Sequence, residues 1–73
     1  MTGPPVMSGR DCVKALAKAG FAIVRQESSH ITLRRAEPFA QVTVPDHKEL
    51  DRGTLRGIIR QAGLSVDEFM KLI

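Results

Sequence analysis

The sequence predicts a small α+β domain, a three-stranded antiparallel sheet with helices packed on one face, in the order α-β-β-β-α-α. Apolar residues recur at helical spacing near both ends of the chain and alternate with polar residues in its middle. Glycine, proline and short polar runs separate these segments. With 73 residues, the chain suffices for one domain with a small core. A shallow surface site therefore suits it better than an enclosed pocket.

The first helix is expected to begin after Ser8, a suitable N-cap, and to end at Gly20, because glycine adopts the left-handed conformation without steric cost. We interpret residues 1–7 as a flexible tail and residues 8–73 as one domain. Unpaired cysteine is among the most buried residue types, so Cys12 is predicted to be a core residue and not a nucleophile. The apolar stripe of this helix is predicted to comprise Cys12, Val13, Leu16, Ala17 and Ala19.

Three strands follow the first helix. The first is predicted over residues 21–26, and residues 27–29 form the turn to the second, over residues 30–35. The third runs over about residues 39–44 and stops at Pro45, since proline cannot donate to a strand ladder. Alternation turns the aliphatic residues toward the helices and leaves one solvated face. This solvated face is predicted to carry His30, Thr32, Arg34, Gln41 and Thr43.

Two helices complete the chain. Asp51 is a suitable N-cap for the second helix, over about residues 52–62, and Gly63 ends it. Ser65 and Glu68 have the spacing of a capping box for a short last helix. The predicted order of elements resembles that of a double-stranded-RNA-binding domain. The second helix has a buried stripe of Leu55, Ile58, Ile59 and Ala62, and an exposed basic stripe of Arg52, Arg56 and Arg60.

The composition favours some classes of partner and argues against others. The net charge of +3 favours an anionic partner, nucleic acid or an acidic protein among them. Three phenylalanines without tryptophan or tyrosine argue against a base-stacking platform. The chain has no run of about 18 apolar residues, so we expect no membrane association. A single cysteine and a start unlike a signal peptide suit the cytoplasm.

Metal and cofactor chemistry are not indicated. The only cysteine and the two histidines lie in a helix, a strand and a loop, without the paired spacing of a metal site. There is no glycine-rich turn between a strand and a helix of the kind that binds nucleotides. The carboxylates of the turns and loops, Glu27 included, are interpreted as solvated charges. We therefore expect neither a metal nor a cofactor.

His30 is the residue best placed for chemistry. Imidazole titrates near neutral pH and can act as a general acid or base. RNA supplies its own nucleophile, the 2′-hydroxyl, so a histidine beside phosphate-binding Arg25 and Arg34 could cleave it without metal. A second proton-transfer group would be His47, Lys48 or water. From the pattern alone, an exposed or cap-bonded histidine without a catalytic role is the commoner case.

Two groups of motifs then resemble a known family, HicA-type toxins. The resemblance covers about residues 8–73 and extends through Gln61 to Leu64 and on to Glu68 and Phe69. The first group resembles the family signature GF…RQ.GSH and comprises Gly20-Phe21, Arg25-Gln26 and Ser29-His30. The second resembles VP.H…EL..GTLR and comprises Val44-Pro45, His47, Glu49-Leu50 and Gly53-Thr54-Leu55-Arg56.

The resemblance implies a double-stranded-RNA-binding-like fold and a metal-independent ribonuclease that cleaves mRNA. It also implies a toxin that a HicB-type antitoxin binds and blocks. The family's catalytic histidine falls on His30, its neighbouring motif residues on Gln26 and Ser29, and its later histidine on His47. The glycine that precedes the Ser-His pair is Ser28 here, so if the turn needs a positive φ, it is expected either to be strained or to adopt another turn type. A non-catalytic RNA-binding module or a protein-interaction domain, as a weakened or inactive homologue, is the alternative.

Overall fold

The computed structural model describes residues 6–73, and the order of its elements is the predicted one. Residues 1–5 of the predicted tail lie outside the described residues. Met7 is buried and pairs with Leu50, so the packed part of the chain includes a residue that was assigned to the tail. The elements are α1 (Gly9–Lys18), β1 (Ala22–Glu27), β2 (His30–Arg35), β3 (Ala40–Pro45), α2 (Arg52–Gln61) and α3 (Val66–Met70).

The helix ends confirm the capping residues expected from the sequence. The side chains of Ser8, Asp51 and Ser65 each accept a hydrogen bond from the backbone N–H three residues later. These bonds satisfy N–H groups that have no partner within the helix. Gly20 and Gly63 have φ values of 96° and 76° just beyond α1 and α2, a conformation that glycine adopts without steric cost.

The sheet has the order β1-β2-β3, and both pairs of neighbours are antiparallel. Helices α1 and α2 pack against β3. The inner face, which carries the buried Ile31, Leu33, Val42 and Val44, forms the sheet side of the core. The face directed away from the helices is called the outer face below. Because β2 lies in the centre, its outward residues are flanked on both sides, and Thr32 is only 6% exposed.

The buried face of α1 differs from the predicted stripe at two positions, Ala15 and Ala17. Ala15 is buried with Cys12 and Leu16, whereas Ala17 is exposed. Residues at i, i+3 and i+4 share a helix face, and this set begins at Cys12. Ala17 is turned away from it. On α2 the predicted core residues, Leu55, Ile58, Ile59 and Ala62, are all buried.

Among residues 6–73, strand β1 is an exposed edge strand that pairs only with β2. Its register shifts between Ile23 and Arg25, which indicates a β-bulge at Val24. Phe21, predicted as the first strand residue, instead lies before β1 and is buried, with the Arg35 guanidinium 4.7 Å from the ring centroid. None of the helices in the described part of the chain is long and apolar enough to span a membrane.

Candidate functional site

His30 is the first residue of β2 and is exposed on the outer face of the sheet. It lies opposite Glu27 of β1 and Pro45 of β3 in the strand register. Residues directly opposite each other in antiparallel strands share a face, so the histidine has an acidic neighbour on one side. The sequence prediction of a solvated histidine on the polar face is confirmed.

The turn that precedes His30 contains two residues, Ser28 and Ser29. Ser28 has a φ of 56° and is the only non-glycine residue with positive φ in the described part of the chain. A positive φ in a two-residue hairpin turn favours glycine, which has no Cβ to clash with the backbone. A left-handed conformation costs an L-residue about 1–2 kcal/mol. The strain expected for Ser28 is therefore present beside His30.

Two arginines lie on the outer face, Arg25 on the edge strand β1 and Arg34 on the central strand β2. Arg25 lies opposite Thr32, and its Nε is 3.8 Å from a carboxylate oxygen of Glu27. Arg34 lies opposite Gln41 and donates from its Nε to the Gln41 side-chain oxygen at 2.9 Å. This bond orients the Arg34 guanidinium and leaves its terminal nitrogens to donate to an anion.

The bulge at Val24 separates two residues that the sequence analysis grouped together. It puts Arg25 opposite Thr32 on the outer face but puts Gln26 opposite the buried Ile31. Gln26 therefore belongs to the inner face, at the exposed edge of the sheet. The structure does not bring Gln26 to the face that carries His30.

The loop after β3 lies at the same end of the sheet as His30. The Asp46 backbone N–H donates to the Ser29 carbonyl oxygen at 2.6 Å, which extends the β2–β3 pairing into the turn before His30. His47 follows at once, two residues after the position opposite His30. Its carbonyl oxygen accepts a hydrogen bond from the Gly9 N–H at 2.8 Å, and its side chain and that of Lys48 are exposed.

Glu27 was missed by the sequence analysis, which assigned it to the turn as a solvated charge. It is the last residue of β1, opposite His30, with a side chain that is 75% exposed. A two-residue turn would have been the signal, because it makes the residues on either side of it a cross-strand pair. The outer face thus combines an acidic group with the predicted histidine and arginines.

Shifted pKa values occur at a core thiol, a helix cap and an ion pair. Burial raises the pKa of the Cys12 thiol to about 11, which agrees with its predicted place in the core. Hydrogen bonds from the Thr54 backbone N–H and hydroxyl lower the pKa of Asp51, which caps α2. The bond to Asp46 raises the pKa of Arg10. Within residues 6–73, no group of three or more His, Cys, Asp and Glu side chains could hold a metal ion.

The candidate site is an open surface. A groove of about 300 Å³ lies beside α1, and a cleft of about 280 Å³ lies between α2 and α3. Neither is lined by His30 or by another predicted site residue. The outer face therefore suits an extended ligand that lies across strands better than a small molecule enclosed in a pocket.

Comparison with protein families identifies a match over most of the chain. A family model described as the HicA toxin of bacterial toxin–antitoxin matches residues 9–64. No curated protein matches the chain. The matched span contains α1, the sheet, the His47 loop and α2, and so includes all the residues of the candidate site. The chain therefore belongs to the HicA toxin family, the toxin components of bacterial toxin–antitoxin systems.

Proposed function

We propose that this toxin is a metal-independent endoribonuclease that cleaves mRNA in the cytoplasm, with His30 as general acid or base. The observation that carries the proposal is the position of His30. It is exposed on a polar sheet face, with Arg25 and Arg34 on the same face and His47 and Lys48 in the loop at the same end. Family membership supports the toxin role, and the surface is open enough for an RNA strand.

The reaction that this arrangement suits is an intramolecular transesterification. The RNA 2′-hydroxyl loses its proton to a base and attacks the adjacent phosphorus. The P–O5′ bond breaks, and the leaving oxygen takes a proton from an acid. The products are a 2′,3′-cyclic phosphate and a 5′-hydroxyl end. Because the nucleophile is already held next to the phosphate, the protein needs only to move protons and stabilise charge.

His30 would supply one of the two proton transfers. His47, Lys48 or a water molecule would supply the other, and Glu27, opposite His30, is a further candidate. Arg25 and Arg34 would bind phosphate oxygens, with Arg34 already oriented by Gln41. The Ser29 hydroxyl and backbone, in the turn, would contact the strand beside the scissile phosphate. Gln26 would reach RNA only around the edge of β1, since it faces the other side of the sheet.

The natural inhibitor would be a HicB-like antitoxin. Family membership supports a protein partner of this kind, and an open site is easily covered by a bound protein. We propose that the antitoxin blocks the toxin by covering the outer face around His30.

The decisive experiment compares wild type with His30→Ala after induction in bacteria. Wild type is expected to arrest growth with loss of mRNA, and His30→Ala is expected to do neither. His30 is exposed, so the substitution should leave the fold intact, and circular dichroism of the purified variant checks this. Cleavage of RNA by purified wild type in excess EDTA tests metal independence. Growth arrest by a folded His30→Ala protein would contradict the proposed mechanism.

A second function is favoured by the strained turn. Serine at position 28, with positive φ, limits the close approach of a phosphate that glycine would allow, and a protein that binds RNA without cutting it would tolerate this. In that case purified wild type binds RNA but leaves every tested RNA intact, and His30→Ala binds as well as wild type. A protein-interaction domain, by contrast, would show no measurable RNA affinity at physiological salt.

A further inference from the structure

The loop that carries His47, residues 46–50, is bound along its length by the segment of residues 7–10. Met7 pairs with Leu50 in an antiparallel bridge, and the Leu50 N–H donates to the Met7 carbonyl oxygen at 2.8 Å. The Gly9 N–H donates to the His47 carbonyl oxygen at 2.8 Å. These bonds hold the backbone at His47 itself and at Leu50, three residues later, while the His47 side chain stays exposed.

The two segments also meet without space between them. A Cβ atom on Gly9 would collide with the carbonyl oxygen of Pro45. Position 9 therefore requires glycine because the two backbones approach closely, and not because of its φ value. The start of α1 is thus fixed directly against the residue that lies opposite His30 in the sheet.

Arg10 and Asp46 form the polar contact of this junction. The Arg10 Nε is 3.1 Å from Asp46 Oδ1, and its Nη2 is 3.0 Å from Oδ2. Paired bonds of this kind fix orientation as well as distance. The Arg10 side chain is 65% exposed and that of Asp46 25% exposed, so solvent screening at Arg10 limits what the pair adds to stability, whereas its two-point geometry still fixes direction. Orientation of the loop is therefore the better account of the pair.

Asp46 links the two histidine-bearing segments. Its side chain binds Arg10 of α1, while its backbone N–H donates to Ser29 in the turn before His30. A change at Asp46 would therefore act on the position of His47 relative to His30, although neither Arg10 nor Asp46 belongs to the proposed catalytic groups.

We propose that Arg10 and Asp46 are positioning residues of the outer-face site. Their ion pair fixes the loop of residues 46–50, so that His47 and Lys48 stay at a set distance from His30. This inference rests on the proposed ribonuclease function. It assigns to the start of α1 a part in the reaction, although α1 packs on the other side of the sheet.

The test compares Arg10→Gln and Asp46→Asn with the control Lys14→Gln. Lys14 is exposed one turn further along α1 and has no carboxylate within 4.0 Å among the described residues. Single variants of the pair are expected to lower kcat about 10- to 100-fold, as displacement of a reacting group does, while KM and Tm stay close to wild type. Lys14→Gln should match wild type in kcat.

The charge-swapped double variant, Arg10→Asp with Asp46→Arg, is expected to recover most of the lost kcat. All rates are compared at a temperature where melting curves show each variant folded, so that lost stability does not imitate lost positioning. A kcat equal to wild type in both single variants would overturn the inference. So would a double variant no better than the worse single variant.

A readout independent of cleavage separates this inference from the proposed function. If wild type cleaves no RNA, the ribonuclease proposal fails, and NMR still tests the junction. Arg10→Gln is expected to speed hydrogen exchange at the Gly9 and Asp46 amides and to shift the His47 imidazole signals. Lys14→Gln is expected to leave both unchanged. Unaltered exchange and unaltered His47 signals in Arg10→Gln would refute positioning by this pair.

Discussion

At the scale of single residues, Ser28 is where sequence and backbone conformation conflict. Its φ of 56° costs serine about 1–2 kcal/mol, a cost that glycine avoids. Part of this advantage is lost because glycine gives the unfolded chain more conformational entropy. Ser28→Gly is therefore expected to stabilise the protein by about 0.5–1 kcal/mol in urea unfolding. It should also speed RNA cleavage, because the turn beside His30 could approach phosphate more closely.

Ser29 provides the control for that prediction. It is the other central residue of the same turn but has no positive φ. Ser29→Gly should therefore lower stability, since glycine adds unfolded-state entropy without relieving strain. Equal changes in the free energy of unfolding for Ser28→Gly and Ser29→Gly would show that the conformation of Ser28 carries no cost.

Cys12 makes a prediction about alkaline pH. Burial raises the thiol pKa from 9.0 to about 11, so between these values the unfolded chain has lost a proton that the folded chain keeps. The contribution of the protonated Cys12 thiol to the stability of the fold is complete below pH 9 and is lost as pH rises toward 11. From pH 8 to pH 10, wild type should lose about 1 kcal/mol more stability than Cys12→Ala, measured by urea unfolding. Parallel pH profiles for the two proteins would rule out a buried, protonated thiol.

At the scale of elements, local signals predicted the helices better than the edge strand. The caps at Ser8, Asp51 and Ser65 depend on residues three positions apart, and all three are confirmed. Strand β1 is exposed along its whole length, so burial imposed no alternation from which its register could be predicted. The bulge at Val24, and with it the separation of Arg25 from Gln26, could not be predicted for that reason.

Glu27, at the end of β1, gives a prediction about RNA binding. Its carboxylate shares the outer face with His30 and lies 3.8 Å from Arg25, so it repels phosphate and offsets an arginine charge. Glu27→Gln is expected to tighten RNA binding several-fold at low salt, measured in a His30→Ala background that prevents cleavage. Glu37→Gln, an exposed change in the β2–β3 turn, serves as the control. Weaker binding by Glu27→Gln would mean that the carboxylate contacts RNA through its own hydrogen bonds.

At the scale of the whole molecule, the order of the elements could be predicted from the sequence, but the junction between residues 7–10 and residues 46–50 could not. Polar and apolar periodicity indicated α-β-β-β-α-α, and that architecture is confirmed. The contacts between residues 7–10 and 46–50 join segments 36 positions apart at Arg10 and Asp46. Nothing in either segment alone identifies the other as its partner. Met7, which was assigned to the tail, is buried and pairs with Leu50.

The two sides of the molecule make different predictions for RNA. Arg34 lies on the outer face, whereas Arg56 is on the exposed side of α2, a helix that packs on the inner face. If RNA binds the outer face, Arg34→Gln should reduce the slope of log affinity against log salt by about 0.7, the loss of one phosphate contact to single-stranded RNA. Arg56→Gln should leave that slope unchanged. Both are measured in the His30→Ala background by titration at several salt concentrations. A reduced slope for Arg56→Gln with an unchanged slope for Arg34→Gln would move the RNA to the helical side. It would leave His30 out of reach of the strand and so contradict the ribonuclease mechanism.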